Sequence, residues 1–366
     1  MRSALKGIDG VQSVELSAYA DIYTVTFRPG VTPDENKVQE LFKGCAYNGR
    51  RVVVERDRKS VVDFAVAQPR PAAPEDNPST AGRVALGKRL FTDKRLSSDG
   101  TMACSTCHSP QRAFASTSTT AKGVRGLEIP RNVPTLVNVG YRRSIFWDGR
   151  KKSLEEMSLG AVEHPAIIGM TSDELNERLR SIREYVDLFK EEFSKPPTAQ
   201  TFALALAAYQ RSLVRHDTPF DRFARGNESA ISESARRGYI NFRDKANCIT
   251  CHSGPDFADG AFRFIGVGWD GKAYKDPGRA KVSGHPGEAG RFRVAPLREL
   301  VWTAPYMHDG SLKTLEEVVD FYNKNGPEGK RTDLHGPLNL TDQEKKDLVE
   351  FLKSLSSERW TVAMRE

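Results

Sequence analysis

Strict alternation of apolar and polar positions is confined to the start of the chain. Val14 and Leu16 alternate with polar residues within Gly10–Ser17, as do Tyr23, Val25 and Phe27 within Asp21–Arg28, so both stretches are predicted strands. Thr32–Lys43 reads as a helix and Arg51–Glu55 as a further strand, which makes residues 1–57 a small α+β segment. Beyond it the apolar period lengthens. Phe202–Leu213 is an amphipathic helix, and Leu348, Phe351, Leu352 and Leu355 recur at helical spacing as core. Four helix starts carry a hydroxyl followed three residues on by glutamate: Ser153/Glu156, Thr171/Glu174, Thr314/Glu317 and Thr341/Glu344. Pro69, Pro71, Pro74 and Pro78 forbid a helix between the two regimes, so residues 58–81 are predicted to be an extended linker. Frequent Gly, Asp and Pro between Gly266 and Gly290 predict a long irregular loop, functional or mobile. Strand is expected only in the N-terminal unit, and the rest should be mainly α.

At 366 residues the chain has room for two or three domains, each with its own core. Its 38% hydrophobic and 28% charged residues describe an ordinary globular composition. No apolar run approaches the ~20 residues of a membrane-spanning helix. The formal charge of +7 comes from Lys and Arg dispersed among acids. That pattern argues for a solvated basic surface and against nucleic acid, leaving a mildly acidic protein partner open.

Chemistry enters with a motif that occurs twice, Cys104-Ser105-Thr106-Cys107-His108 and Cys248-Ile249-Thr250-Cys251-His252. Two thiols three residues apart suit addition to the vinyl groups of a haem, and the adjacent imidazole is placed to bind the iron. The competing reading is half of a zinc knuckle, but neither copy is followed by the second Cys/His pair a four-ligand site needs. In both copies a short helix carrying glycine leads to an aromatic and then to the motif: Ala85–Phe91 before the first, Ala235–Phe242 before the second. The chain therefore looks duplicated, with two cytochrome c-like haem domains in tandem over 82–225 and 226–366. Four of the five cysteines belong to the motifs, which leaves Cys45 as a lone thiol and no disulfide framework. Covalent haem attachment implies maturation in a bacterial periplasm or its equivalent. Met1 is followed by Arg-Ser-Ala-Leu-Lys, with no apolar export segment. The expectation is that this start lies inside a longer gene product. A low-spin haem needs a second axial ligand, and the stretch Thr303–Gly310 offers both Met307 and His308.

Two resemblances follow from these residues. The segment 1–57 resembles the heavy-metal-associated domain, a ferredoxin-like β-α-β-β-α-β unit. Ala4–Val11 looks like the end of its first helix, so its metal-binding CxxC loop would lie upstream of Met1. Further on, Leu86–Phe91, Arg131–Leu136, Phe146–Arg150, Pro219–Arg222 and Ala304–Gly310 occur in one order with both haem motifs. Together they resemble the bacterial dihaem cytochrome c peroxidase family, which includes the MauG-like enzymes, over about residues 82–356. The resemblance implies a peroxidatic first haem held by His108 and a high-potential second haem held by His252 and Met307. It implies an inter-haem relay at Trp147 and a calcium ligand at Asn132. Its expected substrate is hydrogen peroxide, its electron donor a small cytochrome c or copper protein, and its common assembly a homodimer.

Departures from the family pattern fall on the first haem. The position of a removable sixth-ligand histidine is Val124, and no histidine occurs from Ser109 to Glu163. A pentacoordinate or water-bound iron is expected there. The position of the usual distal glutamate is Ile167, which cannot move a proton, so Glu163 and His164 are the candidate substitutes. Three functions stay open at this stage: a peroxidase, a MauG-like oxidase of a protein or small molecule, and a non-enzymatic electron carrier or redox sensor.

Overall fold

The computed structural model of the protein describes residues 7–17, 22–28, 31, 70–225, 227–327, 333–334 and 336–360. Both predicted N-terminal strands form, β1 (Val11–Ser17) and β2 (Ile22–Phe27). They pair antiparallel, with Val14 opposite Val25 and Leu16 opposite Tyr23. The predicted helix at Thr32–Lys43, the strand at Arg51–Glu55 and Cys45 lie outside the described residues. Within the predicted linker, residues 70–80 are mostly exposed and run without regular secondary structure, apart from a turn, up to the first helix, with one anchored position. Asn77 is fully buried, its amide donating to Glu155 at 2.8 Å and to the Leu204 carbonyl at 3.1 Å.

The remaining described chain is mainly helical and repeats one arrangement. Helix α1 (Ala81–Thr92), opened by Thr80, packs across α3 (Ala199–Ser212). Between them in sequence lies α2 (Leu154–Glu163). Helix α4 (Glu233–Arg243) packs in the same way across α6 (Asp342–Ser354), with α5 (Leu315–Asn323) beside it. Each crossing carries an aromatic triad. Phe91, Tyr209 and Phe114 have ring centroids 5.2–6.5 Å apart. Phe242, Phe351 and Phe257 have theirs 5.0–6.1 Å apart. Two clusters of buried residues grow around these triads, one drawn from residues 86–213 and the other from 220–355. Leu348, Phe351, Leu352 and Leu355 belong to the second cluster, as their spacing predicts.

All four predicted hydroxyls open helices, but the glutamates divide into two kinds. Glu174 and Glu344 close the reciprocal box with Thr171 and Thr341. Glu156 and Glu317 instead accept from the backbone of Lys152 and Lys313, one residue before the cap. Strand is not restricted to the N-terminus: Ala121–Lys122 pairs with Glu128–Ile129, and Phe262–Phe264 with Arg291–Arg293. The second ladder closes the loop predicted between Gly266 and Gly290. That loop is pinned across the molecule by Arg131 to Asp276 and by Arg279 to the Asp148 carbonyl.

One half-buried group makes the fold sensitive to acid. His216 lies against Tyr141 with its Nε2 buried and without a hydrogen-bond partner among the described residues. Burial, with Arg298 adding to it, pushes its imidazole from the ordinary 6.5 down to about 4. The neutral ring is favoured on folding, so its contribution is complete above pH 6.5 and is lost as pH falls towards about 4. Denaturant titrations of His216→Phe across that interval are expected to show a shallower loss of stability than the parent.

Candidate haem sites

Local backbone geometry aims both histidines in the same way. A single helical turn at Cys104–Cys107 brings the His108 amide to the Cys104 carbonyl at 2.8 Å. A 3₁₀ turn at Cys248–Thr250 brings the His252 amide to the Cys248 carbonyl at 2.9 Å. Each imidazole then donates from Nδ1, His108 to the Phe114 carbonyl at 3.0 Å and His252 to the Phe257 carbonyl at 2.9 Å. With Nδ1 protonated, the Nε2 lone pair is left for a metal. Phe114 and Phe257 take left-handed backbone, φ 54° and 53°, which turns those carbonyls back towards the histidines. Burial pushes His108 down to about 4 and His252 in the same direction, favouring the neutral ligand form. Burial likewise drives the Cys104 and Cys248 thiols up to about 12.

Each motif opens into a cavity. The first, of about 930 Å³, is lined by Cys104, Cys107 and His108 together with Phe146, His164 and Ile167. The second, of about 240 Å³, is lined by Cys248, Cys251 and His252 together with Tyr306 and Met307. The second carries a specific sign of an absent anion. Arg142 donates only to the Thr135 and Val137 carbonyls and keeps a buried, unpartnered Nε. Arg293, 5% exposed, donates only to the Phe146 and Val294 carbonyls. Neither guanidinium has a carboxylate hydrogen-bond partner among the described residues. The half-buried Arg142, with its Nε enclosed, and the buried Arg293 face one cavity, an arrangement that is costly without enough negative charge nearby, and haem propionates would add that charge. The residues lining the two cavities therefore fit a haem c.

Asn132, Val133, Pro134, Trp147 and His308 line both cavities, so they form the wall between them. Trp147 is fixed there by its Nε1, which donates to the Asn132 carbonyl at 2.8 Å, and by its carbonyl, which accepts from the Arg293 amide at 2.8 Å. His308 stacks on Phe292 at 3.6 Å and sits edge-on to Trp147 at 6.5 Å. Met307 lines the second cavity alone. Asn132 is buried, with Nδ2 donating to the Ser118 carbonyl and its amide to the His308 carbonyl. Beside it, Arg131 already pairs with Asp148 and Asp276. No group of three or more His, Cys, Asp or Glu side chains that could hold a metal ion is found among the described residues.

The two distal candidates separate. Glu163 is exposed at the end of α2 and accepts from the Ser172 hydroxyl at 2.9 Å; it does not line the first cavity. His164 does line it, and its Nδ1 accepts from the Ala166 amide at 3.2 Å. That bond leaves the proton of the neutral ring on Nε2. Burial lowers the imidazole's pKa, with Arg150 and Lys281 adding to the effect. Ile167 lies in the cavity wall, whereas Val124 is fully buried in the first core cluster and away from it.

Sequence inspection missed one repeat. Ile145–Glu156 and Tyr306–Glu317 align without a gap, sharing Asp-Gly, a lysine before the cap, and Leu-Glu-Glu. The match was legible, but its dissimilar leading residues, Phe146-Trp147 against Met307-His308, conceal it.

Comparison with known proteins agrees with this geometry. Residues 81–229 match the family described as di-haem cytochrome c peroxidase. Cytochrome-c peroxidase IdrP1 of Denitromonas iodatirespirans is 41% identical over 316 residues, covering 77% of this chain and 84% of that protein. Methylamine utilization protein MauG of Methylorubrum extorquens is 40% identical over 292 residues, covering 78% and 81%. Among solved structures, a MauG-like protein associated with microbial copper homeostasis superposes with a TM-score of 0.74 at 33% identity, covering 82% of this chain and 96% of that one. The chain belongs to the di-haem cytochrome c peroxidase family. It is an oxidoreductase with haem c cofactors. Among the described residues no helix is long and apolar enough to cross a membrane.

Proposed function

We propose that this chain is a periplasmic peroxidase that reduces hydrogen peroxide to two waters, using two protons and two electrons from a small cytochrome c or copper protein. The observation that carries the reading is the pair of imidazoles, each with Nδ1 committed to a carbonyl, opening into cavities that share the Trp147 wall. When bound, haem c supplies the electron-accepting and electron-storing iron, at His108 for peroxide and at His252 and Met307 for the store. The domains are then 82–225 and 226–366, with the N-terminal hairpin part of a heavy-metal-associated-like segment over residues 1–57. Asn132 orders the wall through its three hydrogen bonds and is the position for a calcium ion, should one bind. Trp147 is the relay: its ring is rigid and borders both cavities.

From the wall of the first cavity, His164 would act as a neutral hydrogen-bond donor. To accept a proton at Nδ1 it would have to give up the Ala166 amide, so its task is to stabilise charge on the departing oxygen through Nε2–H. Glu163, held at the surface by Ser172, takes no part.

Mixing the reduced protein with hydrogen peroxide and a reduced small cytochrome tests this directly. Rapid donor oxidation at two electrons per peroxide is expected. Haem oxidation without donor turnover would instead indicate oxidation of another substrate, and inertness to peroxide an electron carrier.

A further inference from the structure

Phe146 and Met307 hold the same place in two copies of one loop. Each sits on left-handed backbone, at φ 66° and 72°. Each loop is closed by one antiparallel bridge, Ile145 with Lys151 and Tyr306 with Leu312. The glycine three residues on, Gly149 or Gly310, returns its amide to the Phe146 or Met307 carbonyl at 3.4 and 3.2 Å, and is itself left-handed at φ 67° and 66°. Ser153 and Thr314 then cap α2 and α5 through the same side-chain bond. Each side chain lines the cavity of its own motif, Phe146 with His108 and Met307 with His252.

From this equivalence we infer that Phe146 is the residue that keeps the first haem open, occupying the ligand position that Met307 fills at the second. A thioether has a sulfur lone pair to offer iron, and a phenyl ring has none. The loop geometry that presents a ligand in one half presents in the other a side chain unable to bind, so peroxide has no protein ligand to displace. Arg150 lies over the Phe146 ring at 3.6 Å from its centroid and fixes it against the wall. The two haems would thus differ in function largely through one side chain.

This rests on the dihaem peroxidase reading, which a count of two haems per chain by pyridine haemochrome tests separately. Phe146→Met is expected to convert the first haem from high-spin to low-spin in the ferric absorption and electron paramagnetic resonance spectra. Its peroxide reaction should fall at least about 100-fold, as for a site that must first lose a ligand. Phe146→Leu, equally apolar and without a lone pair, should keep the high-spin signal and lose much less of its peroxide rate than Phe146→Met. With two haems present, a high-spin first haem in Phe146→Met reacting at the parental rate overturns the inference. Equal loss of reactivity in both variants without a spin change overturns it too, because the ring would then serve packing alone.

Discussion

Replacing His164 by alanine is expected to slow the reaction with hydrogen peroxide about 10²- to 10³-fold, the usual cost of removing one preorganised donor from a site where charge develops. Glu163→Ala should leave the rate unchanged. The two residues are neighbours in sequence, yet one faces the first cavity and the other bonds Ser172 at the surface. His164→Gln offers an amide donor in place of Nε2–H and should recover part of the loss. The pH profile separates donor from base. Burial, with Arg150 and Lys281 beside it, holds the imidazole below its ordinary range and so favours the neutral ring, and the rate should be level from neutral pH upward. Below that point protonation puts a hydrogen on Nδ1 against the Ala166 amide and displaces the ring, so the rate should fall. Stopped-flow rate constants across that range provide the check. A parental rate in His164→Ala, or equal slowing in Glu163→Ala, would remove His164 from the mechanism.

What was legible in the chain was what local chemistry determines. The Cys-x-x-Cys-His turns, the hydroxyl caps at Ser153, Thr171, Thr314 and Thr341, and the helical period of Leu348, Phe351 and Leu352 each express a short-range rule, and the structure shows each of them. Features fixed by distant partners were not legible. Nothing near Asn77 announces that it will be buried against Glu155 and Leu204. Nothing near Asp276 announces that a loop from the second half will wall the first cavity and take Arg131 as its partner. Glu163 and His164 could not be told apart because the end of α2 falls between them, and a single residue's rotation at a helix end decides which side chain meets the cavity. The glycines before each haem motif occupy a middle position. Their recurrence was visible, but its cause is a contact across the fold.

That cause predicts an inverted effect for the mildest substitution in a helix. Alanine in place of a helical glycine ordinarily stabilises by about 0.5–1 kcal/mol. At Gly238 an added Cβ would stand 1.9 Å from the Asp347 carbonyl oxygen and 2.8 Å from the Phe351 Cβ. Both belong to α6, and the first is backbone, so no side-chain rotation relieves the overlap. The helices must separate, opening the Phe242–Phe351–Phe257 triad and the bonds from Ser234 and Arg237 to Asp347. Gly238→Ala is therefore expected to cost about 3 kcal/mol or more, at the upper end for overpacking a core. Gly87→Ala should behave alike, its Cβ falling 2.1 Å from the Ala205 carbonyl oxygen on α3. Gly160, within α2, is the control: its Cβ would meet only the flexible end of Lys151, at 2.9 Å, so alanine there should show the ordinary gain. Guanidinium unfolding of the three haem-loaded variants measures the sign directly. Destabilisation at 87 and 238 beside a gain at 160 would trace the repeated glycine to the closeness of two helix crossings; gains at all three would show that the helices have room to spare.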